Sequence, residues 1–226
     1  MKIEKFVTKE LSRLGDDNIS NSSKTPLKKD AFKISDIEKI KLIEGKIREI
    51  LDIIGMDLKN DSISETPKRV AKMFINEIFS GINPINKPTT STFKNNYKYG
   101  EMLVEKNIIV NSTCEHHLLP IVGIAHVAYI SNGKVMGLSK INRIVDYYSK
   151  RPQVQERLTL QIVHELQNIL KTKDVACFID AKHLCVNIRG IRDNQSSTVT
   201  SEFRGKFKEK EIKKEFLDYI KLEANF

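Results

Sequence analysis

The sequence predicts an α+β domain, on three observations. Helical periodicity governs residues 35 to 81, alternating and continuously apolar strand segments appear only beyond residue 100, and further helical patterns lie between those strands. At 226 residues with 40% hydrophobic content, the chain can fill one sizeable core.

Residues 1 to 34 read as an arm. Met1 to Leu14 could form a short amphipathic helix, and the polar run through Asp16-Asp17-Asn18 and Asn21-Ser22-Ser23-Lys24 predicts mobility. From Ser35 the pattern turns helical. Ser35 and Glu38 have capping-box spacing, and Ile37, Ile40, Ile47, Ile50, Leu51 and Ile54 fall on one face before Gly55. A second helix opens at Thr66-Pro67, turns Val70, Met73, Phe74 and Ile78 inward and stops at Gly81, with proline and glycine where helix ends prefer them. Residues 82 to 100, rich in Asn, Pro and Thr, predict a long connection.

Leu103 to Val110 and Ile121 to Ser131 predict strands, and Asn132-Gly133 a hairpin turn. Ser139 to Ser149 reads as a helix, followed after Pro152 by another with Leu158, Val163, Leu166 and Leu170 inward. Val175 to Asp180 predicts an apolar strand holding Cys177 in the core. His183 to Arg189 predicts a last strand whose period of two places His183, Cys185, Asn187 and Arg189 on one face.

Two runs carry the chemistry. Cys114-Glu115-His116-His117 and His183-Leu184-Cys185 set two of the three cysteines beside three of the five histidines, the arrangement expected where distant strands converge on a metal. Thiolate and imidazole together suit zinc, which is borderline-soft and accepts tetrahedral mixed ligation. The spacing allows Cys114 and His117 from one turn, with Cys185 and also His183 available from the second run. The shell could hold four protein ligands, or three with histidines left to carry protons. The surplus histidines favour a catalytic centre.

Composition narrows the alternatives. Three cysteines without framework spacing predict reduced thiols and a cytoplasmic setting. The longest apolar stretch, Ile121 to Ile130, is too short to span a bilayer, and the first residues lack a signal-peptide core, so no membrane role is expected. The net charge of +9 raises nucleic acid as a partner. Against it, lysines alternate with acids, as in Lys206 to Lys214, aromatics are sparse and no recognition motif is present. A small anionic substrate uses positive charge equally well.

The sequence also resembles the GTP cyclohydrolase I family over roughly residues 40 to 220. The resemblance is carried, in order, by Glu65-Thr66-Pro67-Lys68-Arg69-Val70-Ala71-Lys72-Met73, Cys114-Glu115-His116-His117, and Gly137-Leu138-Ser139-Lys140-Ile141-Asn142-Arg143. The later blocks are Arg151-Pro152-Gln153-Val154-Gln155-Glu156-Arg157-Leu158 and His183-Leu184-Cys185 with Arg189-Gly190-Ile191-Arg192-Asp193. It implies opening of the guanine imidazole ring of GTP, loss of formate, rearrangement of the ribose and closure to 7,8-dihydroneopterin triphosphate, the first step of tetrahydrofolate and pterin biosynthesis.

Position by position, the resemblance implies that Cys114, His117 and Cys185 bind zinc and leave a place for water. His183 would protonate the ring nitrogen, and His116 with Ser139 would serve proton transfers around the ribose. Glu156, aided by Gln155, would read guanine, and Lys140, Arg143, Arg189, Arg69 and Lys72 would hold the triphosphate. The implied fold is of the tunnelling type: a helical N-terminal part (about 35 to 81) joined to an antiparallel sheet with helices on one face (within 101 to 226). Subunit sheets would form a barrel in a homodecamer with interfacial sites. The rivals are a pterin synthase or nitrile reductase on a related fold, which the Cys/His/Cys set disfavours, and a zinc-stabilised nucleic-acid-binding protein.

Overall fold

A computed structural model describes residues 24–223; the helix expected over Met1 to Leu14 lies outside them. The first helix, α1 (Asp36–Ile54), starts as its sequence predicts. Ser35 sits extended at the N-cap and its hydroxyl accepts the Glu38 N–H at 3.2 Å. It ends at Gly55 in the left-handed region, whose N–H returns to Asp52 O. The apolar face of α1 stays on the surface: no α1 residue is buried, and Ile37 and Ile54 are 71% and 67% exposed. A helix lying mainly against one neighbour, α2 (Thr66–Met73), has nothing among the described residues broad enough to cover that stripe.

Pro67 opens α2 and, with Ala71, is buried, while Val70, Met73, Phe74 and Ile78 are half-buried. The helix widens into a π-turn over Phe74–Ile78, where Phe79 N–H reaches back to Phe74 O, and gives way to a 3-10 turn around Gly81. Gly81 is required for a reason other than helix capping. A Cβ there would lie 2.0 Å from Tyr147 O, and its own N–H donates to Lys150 O at 2.9 Å. The N-terminal part is thus latched onto the end of α3 (Leu138–Ser149).

The connection from 82 to 100 contains a short strand, β1 (Thr92–Lys94), which pairs with β4 (Lys134–Met136). The main sheet runs β5-β2-β3-β6-β7, with β2 (Met102–Cys114), β3 (Pro120–Ile130), β5 (Pro152–Gln153), β6 (Val175–His183) and β7 (Thr198–Phe203). All pairings are antiparallel except the short β2·β5 contact. Asn132-Gly133 does form a turn, Gly133 having φ 82°, but the strands it joins do not pair with each other. Both edges of β3 are taken by β2 and β6, so β4 leaves the sheet and pairs with β1 instead.

The core lies between one face of the sheet and the helices α3 and α4 (Gln155–Leu170). Leu158, Val163, Leu166 and Leu170 of α4 are fully buried against Ile121, Val127 and Ile179, as the helical period requires. Each such side chain contributes about 1.5–3 kcal/mol through burial. Cys177 is wholly inside this core, and burial pushes its thiol pKa far up. On the opposite face Phe207, on the 3-10 turn Gly205–Lys208, and Phe216, on the following helix α6 (Lys210–Lys221), build a smaller cluster with Met102 and Ile130, while Ile109, Val122, Ile124 and Val199 remain open.

The strand predicted over His183 to Arg189 does not form. β6 ends at His183, opposite Ile121, and Leu184–Asn187 makes a single helical turn, α5, closed by Ile188 N–H to Leu184 O. The next residue on β3 is Pro120, which has no N–H to offer, so the chain satisfies its own backbone by turning. The face expected to hold His183, Cys185, Asn187 and Arg189 in a row is replaced by a bend. Among the described residues no helix is long and apolar enough to cross a membrane.

Candidate functional site

The end of β2, the end of β6 and the start of α4 meet around a cavity of about 760 Å³. Cys114 is the last residue of β2 and is almost fully buried. Its N–H donates to Leu119 O and its carbonyl accepts from Leu118, which takes the left-handed conformation (φ 53°). This tight turn carries Glu115, His116 and His117 at its tip. Cys185, on α5, arrives from the other side because β6 bends where it does.

Ligand atoms of Cys114, Cys185 and His183 all lie within 4.8 Å of one another. Burial raises the Cys185 thiol to about 11, and the neighbouring Cys114 thiol adds to the shift. Two soft donors held this close resist becoming anionic together unless a cation offsets them, so the donor set fits a borderline-soft divalent metal. The expected third ligand, His117, lines the same cavity, where its Nε2 accepts from Arg189 Nη1 at 2.9 Å. The three grouped donors therefore include His183 in place of His117. His116 is exposed, its Nδ1 3.9 Å from Cys114 Sγ.

His183 is oriented by Gln155. The Gln155 amide nitrogen faces three acceptors, Ile179 O, Thr198 O and Thr200 Oγ1, at 3.2, 2.8 and 3.1 Å. Its oxygen is therefore the atom 2.8 Å from His183 Nε2, which makes Nε2 the protonated nitrogen and leaves the Nδ1 lone pair for other use. Burial lowers the His183 pKa below its ordinary value, and the Glu156 carboxylate opposes that shift. Glu156 itself is exposed on the first turn of α4 and lines the cavity.

The cavity thus collects Cys114, His116, His117, Gln155, Glu156, His183, Cys185 and Arg189. It does not collect the other predicted residues. Ser139 and Arg143 are exposed on α3, Lys140 is half-buried there, and Arg143 lines a separate shallow pocket with Asp146 and Lys150. Arg69 and Lys72 flank another on α2, where Arg69 donates to Ser62 O and Thr66 Oγ1.

Sequence reasoning missed one pair. Arg157, with a side chain 2% exposed, grips Glu115 through Nη1 to Oε2 at 2.5 Å and Nη2 to Oε1 at 3.1 Å. The available signal was a charge next to the inward Leu158 on α4, a position that demands a buried counter-charge. Gln153 was missed as well. It is fully buried, its carbonyl accepts the Glu115 N–H, and its amide donates to Tyr148 O and Gln161 Oε1.

The sequence pattern of the family described as GTP cyclohydrolase I matches residues 43–221. The chain is 67% identical over 216 residues to a Flavobacterium johnsoniae protein named GTP cyclohydrolase 1, covering 96% of this chain and 97% of the relative. Proteins of the same name from Aeromonas hydrophila and Vibrio cholerae are 50% and 52% identical, over 81% and 76% of this chain and 85% and 79% of theirs.

Proposed function

The chain belongs to the GTP cyclohydrolase I family, and from that premise we propose how its residues divide the work of opening the guanine imidazole ring. The enzyme converts GTP to formate and 7,8-dihydroneopterin triphosphate. The observation that carries the assignment to this cavity is that Cys114 and Cys185, grouped with His183, line it together with His116 and His117.

The metal is zinc, held by Cys114, Cys185 and His117. When bound, zinc supplies Lewis acidity that brings a water molecule near neutrality within reach of ionisation. His183 donates a proton to the ring nitrogen as the imidazole ring opens. Its lowered pKa makes the protonated form a stronger acid, while the Gln155 oxygen fixes its Nε2 and so its ring plane. His116, exposed where it lines the cavity, moves protons during the ribose rearrangement, with Ser139 supplied by a neighbouring copy of the chain.

Guanine specificity comes from the first turn of α4. The Glu156 carboxylate can accept two hydrogen bonds from the N–H edge of guanine, which adenine does not present. Gln155 assists mainly as backbone and frame, because its amide hydrogens point to protein acceptors. Arg189, already in the cavity, suits phosphate oxygens with its planar fork. Lys140, Arg143, Arg69, Lys72 and Ser139 lie off this cavity, which is what sites completed by a neighbouring subunit require. A homodecamer, with residues 35–226 as the catalytic unit, meets that need. The exposed stripe of α1 and the open face of the sheet are surfaces such an assembly would cover. Free thiols at all three cysteines suit a reducing cytoplasm.

A second reading has a specific observation behind it: His183, not His117, is grouped with the two thiols. Zinc analysis of purified variants separates them. On the division above, Cys185→Ser and His117→Ala lose zinc and turnover, while His183→Ala keeps zinc and loses turnover. Zinc lost from His183→Ala and kept by His117→Ala would exchange the two roles.

A further inference from the structure

We propose that Glu115 and Arg157 are positioning residues: their largely buried ion pair sets the metal-binding turn against the helix that frames the substrate. The inference rests on the metal-site reading above and extends it to residues that touch neither metal nor substrate in that scheme.

The geometry is specific. Glu115 follows Cys114 directly and precedes His116 and His117, so its position fixes that of the whole turn. It is held twice. Its backbone N–H donates to Gln153 O at 3.0 Å, and its carboxylate takes both arms of the Arg157 fork. A bidentate fork fixes the plane of the carboxylate as well as its distance, which a point charge does not. Glu115 Oε1 also lies 3.9 Å from His116 Nε2.

Arg157 stands on the first turn of α4, two residues after Gln155 and one after Glu156. The same turn holds His183 through Gln155. One turn of helix therefore grips both halves of the site, the turn after β2 through Arg157 and the end of β6 through Gln155. The pair is not explained by stability alone. A buried ion pair gains little over an apolar pair of like volume, because desolvation offsets the attraction. Orientation is what it adds. Residues that orient ligands in this way typically change metal affinity or activity about 10–100-fold when replaced.

The test uses the full-length protein. Glu115→Gln alone leaves the Arg157 charge buried, so the informative variants are the double Glu115→Gln/Arg157→Met, which removes both charges, and Arg157→Lys, which keeps charge but loses the fork. Four readouts are taken: circular dichroism, zinc retained against a chelator, the visible spectrum of the cobalt-substituted protein, and kcat and KM for GTP. With an unchanged fold, both variants should lose about tenfold or more in kcat and in zinc retention, with KM moving less and the cobalt bands shifted. Wild-type kcat and zinc retention in the folded double variant, or full rescue by lysine, would overturn the proposal. Wild-type protein that neither binds zinc nor releases formate would instead overturn the metal-site reading. The pair is then judged on the metal-free protein, where freeing the turn must raise the reactivity of Cys114 and Cys185 toward a thiol reagent while buried Cys177 stays silent. Unchanged thiol reactivity would sink it.

Discussion

Replacing Gln155 with leucine should weaken the fold moderately and the chemistry severely, because one buried amide serves four partners. The side chain is 1% exposed and is tied to Ile179 O, Thr198 O, Thr200 Oγ1 and His183 Nε2. Three of these keep support after the change: Thr200 Oγ1 retains Thr159 Oγ1 at 2.7 Å, and Ile179 and the exposed Thr198 remain in their strand pairings. The His183 N–H carries the loss. At about 1–3 kcal/mol for a buried group left unsatisfied, the cost is about 1–3 kcal/mol. That is a large share of the roughly 5–15 kcal/mol that holds a domain together, yet short of unfolding it. Urea unfolding at matched protein concentration should show a lower midpoint with an unchanged slope. Turnover of GTP should fall toward the level of His183→Ala, since the imidazole is then unoriented. A midpoint shift worth under about 0.5 kcal/mol together with normal turnover would refute the view that Gln155 holds His183.

Two further predictions concern the sheet that carries the site. His126 is buried beside Phe178 and its Nδ1 accepts the Asn107 N–H at the β2 bulge; burial first and the Lys106 charge second lower its pKa, with Asp180 opposing. Its folded-state pKa lies below the unfolded value of 6.5, so the unfolded chain binds the extra proton. Stability is therefore full above 6.5 and falls as pH drops from there toward the folded value; His126→Gln should flatten that fall, and an identical pH profile would count against it. Gly123→Ala would set a Cβ 2.1 Å from Asp180 O and 2.5 Å from Ala181 Cα, both backbone atoms of β6. Wedging β3 from β6 should cost about 1–3 kcal/mol or more and lower zinc retention too, and a thermal midpoint equal to wild type would contradict this.

Much of the fold was legible because its elements are punctuated locally. Ser35, Pro67 and Gly55 mark helix ends whose backbone needs are met within a few residues, and the inward leucines of α4 follow a period that any core would impose. The two Cys/His runs could be read as convergent because thiolate and imidazole are rarely gathered without a metal. What stayed hidden depends on partners remote in sequence. The bend after His183 follows from Pro120 on a neighbouring strand, the strict need for Gly81 from the carbonyl of Tyr147, and the Glu115 pairing from Arg157 on α4. The same limit applies to α1, whose apolar stripe is plain in the sequence while no described residue covers it. The choice between His117 and His183 at the metal turns on side-chain direction, which residue spacing does not encode.

The most direct test incubates the purified, metal-assayed protein with GTP and follows formate together with the fluorescent pterin formed after oxidation, with ATP and a chelator-treated sample alongside. Formate and pterin in equal amounts, lost on chelation, restored by zinc and absent with ATP, are the predicted result. Zinc bound tightly while GTP remains intact would contradict the account.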